Sequence, residues 1–317
     1  MINRLSHVEV AVSDLPRARQ FYCDALGLIP YAERPEAIWL RAPDEFDVWS
    51  LKLTRDSGRG LLSFGFRVSS EDALDELQRQ HAGLGVAHRW LAAGEEPGRG
   101  RTLRVAAPSG HVVDFQHEID EIQIDGPDGV RLPTRNLHKA HGVNPTRLDH
   151  INIRTTDMDR SLVYWRDELD FSISEMDVAD GRICHAWMRR AQGSHDVALG
   201  SDKAPGFHHF AYALRDAYML YRAADVLADG GWRVVEYGPG RHGITDACFM
   251  YVLDPDGNRI ELYTGDYVRD LDRPPIVWSA EEFETRGLLW WGHEPPASFR
   301  LAGPVLDRGL VTTAERV

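Results

Sequence analysis

The sequence predicts an α+β protein of four βαβββ modules, paired into two domains over 1–135 and 146–265 and followed by an extended C-terminal tail over 266–317. Three observations predict it. A block opening on His7 recurs 143 residues later on His150, and a pair of matching turns falls late in each half. Between these landmarks, short alternating runs give way to helical periodicity. The length, 317 residues, suits two domains of about 150 residues each.

Each element follows from local chemistry. His7-Val8-Glu9-Val10-Ala11-Val12 alternates as a half-buried strand does, Asp14 is placed to cap the next helix, and 15–28 keeps its apolar and aromatic residues on one side. His150-Ile151-Asn152-Ile153-Arg154-Thr155, Asp157 and 158–171 repeat that arrangement, with Asp24 and Leu26 matched by Asp167 and Leu169. A strand over 61–68 and a helix over 71–84 open the second module, echoed by 207–214 and 216–230. Ala107-Pro108-Ser109-Gly110 and Asp254-Pro255-Asp256-Gly257 are Pro-x-Gly turns leading into closing strands. Polar connections lie near 94–100 and 132–145, and the second marks the domain boundary. From Asp266 onward the chain is rich in Pro and Trp, matches neither half, and is expected to wrap the second domain.

Composition narrows the function classes. The net charge of −13 is spread along the chain, which argues against a nucleic-acid or phosphate-binding surface. With 43% hydrophobic and 27% charged residues the chain is an ordinary globular one, and no apolar stretch approaches the ~18 residues of a membrane span. The N-terminus runs straight into a strand pattern without a signal-peptide core, so the expected compartment is the cytoplasm. Cys23, Cys184 and Cys248 are odd in number and far apart, and are expected to be reduced.

Among 14 histidines and 49 acidic residues, the candidates for chemistry are His150, His209 and Glu261. Two imidazoles and one carboxylate leave half an octahedron open, the arrangement by which non-heme Fe(II) oxygenases seat substrate and dioxygen together. Spacing alone would be a weak signal. The repeat strengthens it, because the three fall on the opening strand of one module, the opening strand of the next, and the last strand of that module. Aligned on the repeat, the first half offers His7, Ser63 and Asp114 and so lacks the middle ligand. Strand alternation says only that one of His208 and His209 faces inward.

The pattern resembles the vicinal oxygen chelate superfamily, whose domains are of the glyoxalase and bleomycin-resistance kind, and within it the type I extradiol ring-cleaving catechol dioxygenases. The stretches that carry the likeness are Gly238-Pro239-Gly240-Arg241-His242-Gly243 and the run from Tyr251 through Asp254-Pro255-Asp256-Gly257-Asn258-Arg259-Ile260-Glu261 to Tyr263. Leu148-Asp149-His150-Ile151-Asn152, Trp187-Met188-Arg189-Arg190, Ser194-His195-Asp196, His208-His209-Phe210-Ala211 and Trp290-Trp291-Gly292 support it. The combination is most similar to the homoprotocatechuate 2,3-dioxygenase and catechol 2,3-dioxygenase branch and covers nearly the whole chain.

This resemblance implies an enzyme that opens a catechol beside its hydroxyls with O2, giving a yellow 2-hydroxymuconic semialdehyde. It selects His209 as the ligand beside His150 and Glu261, with Fe(II) as the metal, although the ligand set accepts Mn(II) alike. It makes His195 the acid–base group, a task suited to imidazole, places His242 over the other side of the substrate, and lets Tyr251 donate to a catecholate oxygen. Asn152 and Trp187 become pocket wall, and Tyr263, two residues past Glu261 on the same face, supports the ligands. The implied assembly is a homotetramer, with a small-molecule catechol and O2 as partners and neither nucleic acid nor membrane.

The chain departs from the homoprotocatechuate pattern where that branch holds a substrate carboxylate with arginines. Tyr237 and Gly287-Leu288-Leu289 stand there instead, and Arg286 is out of register. An uncharged substituted catechol facing Tyr237 and Leu288 is therefore the expected substrate. Alternatives are a homoprotocatechuate, aminophenol or hydroquinone substrate, or a glyoxalase-like isomerase or transferase of the same fold. That last class does not need the His195, His242 and Tyr251 set.

Overall fold

The computed structural model describes residues 2–122, 141–191, 193–288, 290–306 and 310. Most of the expected boundary at 132–145 and the end of the tail lie outside the described residues.

The first half begins with β1 (Ile2–Val12), a short helix α1 (Leu15–Arg19) that widens into a π turn over Gln20–Ala25, and β2 (Ile29–Arg34), β3 (Ala37–Arg41) and β4 (Leu51–Arg55). It continues with β5 (Gly60–Val68), α2 (Glu71–Gly83), β6 (His88–Leu91), β7 (Thr102–Ala106) and β8 (Val112–Gln116). The second half repeats the order: β9 (Arg147–Thr155), α3 (Met158–Leu162) with a π turn over Val163–Glu168, β10 (Ser172–Ala179), β11 (Arg182–Arg189) and β12 (Val197–Ser201). Then come β13 (Gly206–Ala213), α4 (Tyr218–Asp229), β14 (Val235–Arg241), β15 (Cys248–Leu253) and β16 (Arg259–Thr264). These are the four βαβββ modules.

Two mixed sheets result, ordered β2-β3-β4-β1-β5-β8-β7-β6 and β14-β15-β16-β13-β9-β12-β11-β10, with β17 (Ile276–Ser279) of the tail added beside β10. In each sheet the opening strands of its two modules pair antiparallel at the centre. Asp14 and Asp157 cap their helices as expected, accepting the Arg17 and Arg160 amides at 3.0 and 2.9 Å. The second-half helix starts at Tyr218, two residues later than its pattern, because Asp216 accepts the Met219 amide from outside it.

One hydrophobic core joins the halves. Phe64 and Phe66 on β5 pack against Trp165, stacked at 6.0 Å and edge-on at 5.7 Å, and the Tyr22 hydroxyl donates to Asp254 at 2.9 Å. The tail touches both halves: β17 pairs with β10, and further along Gly303 bridges to Phe207 and Val305 to Leu61. Among the described residues no helix is long and apolar enough to cross a membrane.

Candidate metal centre and its cavity

β16, β13 and β9 are neighbours in the second sheet, and each supplies one donor to a common point. His150 on β9, His209 on β13 and Glu261 on β16 place their ligating atoms within 4.8 Å of one another, all three residues 3–4% exposed. Glu261 Oε2 lies 3.0 Å from His150 Nε2 and 3.1 Å from His209 Nε2. Burial alone would push the Glu261 carboxyl up, but the two imidazoles hold it well below the usual range. An anionic oxygen so deep in the protein requires a positive partner. A divalent cation supplies one, and two nitrogens with one carboxylate oxygen suit a first-row transition metal.

Hydrogen bonds on the far side of each ring fix the donor atom. His208 lies 2.6 Å from the Phe299 carbonyl through Nε2, so that nitrogen must donate and its Nδ1 must accept. His208 Nδ1 is 2.6 Å from His209 Nδ1, which therefore donates, leaving the His209 Nε2 lone pair aimed at the centre. On the other ligand, His150 Nδ1 faces Asp149 Oδ2 at 3.1 Å. Burial raises the Asp149 pKa, but His150 and Arg147 bring it down to about 2, so it remains an acceptor. Tyr263 packs its ring against His150 at 5.2 Å.

The adjacent histidines both reach this region because the β13–β9 register slips at Phe207/His209, placing two residues of β13 against one of β9. Plain strand alternation gives His208 no such role. A bulge is not written in hydrophobic pattern, so the sequence marks His208 only as a neighbour.

The triad opens into a cavity of about 280 Å3. Asn152, Trp187, His195, His242, Tyr251, Tyr263 and Leu288 all line it. Tyr237 does not: its ring stacks behind Tyr251 with centroids 6.2 Å apart, in a cluster with Phe249 and Phe299, and its hydroxyl donates to the His293 carbonyl. Register shifts along β14 accompany the turn of Tyr237 into that cluster rather than into the cavity lining, the place expected for it.

His195 packs over His150 with ring centroids 4.0 Å apart, and its Nδ1 lies 2.9 Å from Ser194 Oγ. Burial, with a smaller push from His150, lowers its pKa well below the ordinary value, favouring a neutral base. Across the triad, His242 Nδ1 donates to the Leu288 carbonyl at 3.0 Å, which leaves Nε2 to accept from the Tyr251 hydroxyl at 3.1 Å. Burial and then Glu261 raise the Tyr251 pKa well above its ordinary value, so the phenol keeps its proton.

The matching place in the first half is filled by protein. Arg104 grips both oxygens of Asp114 at 2.7 Å, His7 Nε2 approaches Asp114 at 3.4 Å, and Ser63 donates to Glu9. Arg104 pairs with Asp114 across β7 and β8 as Tyr251 pairs with Glu261 across β15 and β16. A guanidinium thus supplies the positive charge there.

Two family models match the chain: the Glyoxalase/Bleomycin resistance protein/Dioxygenase superfamily over 147–262 and the Catechol 2,3-dioxygenase-like N-terminal domain over 63–116. A metapyrocatechase of Geobacillus stearothermophilus is 30% identical over 98% of this chain and 96% of its own length. A manganese-dependent 2,3-dihydroxybiphenyl 1,2-dioxygenase of Geobacillus genomosp. 3 is 29% identical over 96% and 98%. Among solved structures, the homoprotocatechuate 2,3-dioxygenase of Brevibacterium fuscum in complex with 3,4-dihydroxyphenylacetate superposes with a TM-score of 0.89 at 33% identity, covering 96% of this chain and 94% of that one. Fold and site thus define a metalloprotein of the vicinal oxygen chelate kind. Within that class, the chain belongs to the extradiol ring-cleaving catechol dioxygenases. It is an enzyme.

Proposed function

We propose that the protein cleaves a catechol ring beside its hydroxyls with O2, at one Fe(II) held by His150, His209 and Glu261, giving a 2-hydroxymuconic semialdehyde. One observation carries this reading: the three donors converge at a cavity whose walls also hold a base, His195, and a hydroxyl donor, Tyr251. Iron would supply the exchange of electrons between ring and dioxygen that neither undergoes alone. Mn(II) fits the same donors, and one Geobacillus relative is named manganese-dependent.

The chain's own groups handle protons and position. His195 Nε2, with no hydrogen-bond partner among the described residues, accepts a proton from one diol hydroxyl and returns it as the ring opens. Tyr251 is held beside the cavity by donating to His242 Nε2, and on substrate binding it turns that proton from His242 to a catechol oxygen. Trp187, Phe283 and Leu288 form apolar walls that orient the ring and restrict water. Asn152 reaches the same wall from β9, and Tyr263 keeps the His150 ring in place. On the family likeness we read the protein as a cytoplasmic homotetramer, with a metal-free domain over 1–135, a catalytic one over 146–265 and a tail over 266–317.

The test is anaerobically prepared, Fe(II)-loaded protein mixed with catechol or 4-methylcatechol in air. Yellow product formed with one O2 consumed per ring supports extradiol cleavage. A colourless product of cleavage between the hydroxyls, or no oxygen uptake at full metal content, overturns it.

A further inference from the structure

β9 presents His150, Asn152 and Arg154 in a row on one face, while Ile151 and Ile153 between them are wholly buried in the core. Same-face residues on a strand are about 6.6 Å apart, so this row steps from the triad toward the cavity rim at Ser201 and Asp202. The Arg154 guanidinium does not reach straight out. Its Nη1 folds back to donate to Asn152 Oδ1 at 2.9 Å, roughly an aromatic ring's length from the triad.

The surrounding fold makes room for that guanidinium and leaves its charge unmatched. A Cβ on Gly200 of β12 would stand 2.1 Å from Arg154 Nη1, so this strand is glycine where the arginine passes. Gly200 needs no left-handed backbone; what it provides is space. The other arginine of the cavity wall is paired, Arg300 with Glu284 at 2.8 Å. Among the described residues no carboxylate lies within 4.0 Å of Arg154, and the nearest acidic influence is the exposed Asp202 at the rim. Burial lowers the Arg154 pKa to about 10, where it is still charged at neutral pH. A half-buried guanidinium that, among the described residues, uses one of its five donors calls for an anion.

Resting on the reading of this site as a catechol-cleaving one, we infer that Arg154 selects the substrate by binding a carboxylate carried on the ring or on a one-carbon arm, at the end of the cavity away from the metal. The expectation of an uncharged substituent rests on Tyr237 and Leu288. Tyr237 lies outside the wall, and Arg154 supplies a cation from a strand where the family likeness places none.

The test compares 3,4-dihydroxybenzoate and 3,4-dihydroxyphenylacetate with their neutral amides. Anaerobic dissociation constants and kcat/KM are measured for the metal-loaded wild type, Arg154→Gln and Arg154→Lys. The wild type should prefer the carboxylates, and Arg154→Gln should reduce the carboxylate-to-amide ratio roughly 10- to 100-fold, chiefly through KM and the dissociation constant, with Arg154→Lys recovering part. A wild type that favours the amides, or a ratio unchanged by Arg154→Gln, overturns the inference. Carboxylate binding that depends on Arg154 without cleavage of any diol would support this assignment and sink the oxygenase reading alone.

Discussion

A carbonyl on the tail decides which nitrogen of His209 faces the metal site. Phe299 accepts from His208, His208 accepts from His209, and the lone pair of His209 Nε2 is thereby aimed at Glu261. Among the described residues His195 has Ser194 as its one hydrogen-bond anchor, which suits the acid–base role proposed for it. His195→Asn is expected to keep the bound metal while kcat falls by about 10²- to 10⁴-fold, the range of a general acid–base group. Metal analysis alongside single-turnover kinetics checks this; unchanged turnover would remove His195 from the mechanism. The three ligands were legible because a repeat gave each a fixed place in a module. Arg154 and His208 were not, because one depends on the space left by Gly200 and the other on a bulge, neither of which leaves a periodic trace.

At the scale of elements, the strands and caps were readable from alternation and from Asp14 and Asp157, whereas helix character was not fully so. The helices α1 and α3 are one short turn each before they widen into π turns. The tail was legible only as unlike the rest. Its attachment rests on two buried charges: Glu175 accepts from Thr245, Tyr267 and Trp278, and Arg259 donates to the carbonyls of Ser298 and Leu301. Both are long-range contacts that residue pattern does not encode.

The turn before β8 carries a titratable contact of the same kind. His111 Nε2 donates to the carbonyl of Gly206, the first residue of β13, and burial lowers the His111 pKa to about 4. Below pH ~6.5 the unfolded chain takes up a proton that the folded chain refuses until about pH 4, so stability falls as pH drops through that window. The loss reaches roughly 3 kcal/mol. Urea unfolding at several pH values should show His111→Gln losing less stability between pH 7 and 4.5 than the wild type. Parallel curves would contradict the assignment.

Across the whole molecule, two halves with the same strand order differ at the matching centre. In the second, Tyr251 stands beside Glu261 and the space between His150 and His209 accepts a cation; in the first, Arg104 stands in the matching place and closes it. Their shared core, with Phe64 against Trp165 and Tyr22 bonded to Asp254, makes the closed half a rigid support for the open one. The central claim is that only the second half binds the catalytic metal, and iron content per chain tests it most directly. After Fe(II) loading and desalting, the wild type and His7→Gln should each retain one iron per chain, and Glu261→Gln should retain less than about a tenth of that, with oxygen uptake on catechol following the iron. Two irons per wild-type chain, or iron lost from His7→Gln yet kept by Glu261→Gln, would contradict it.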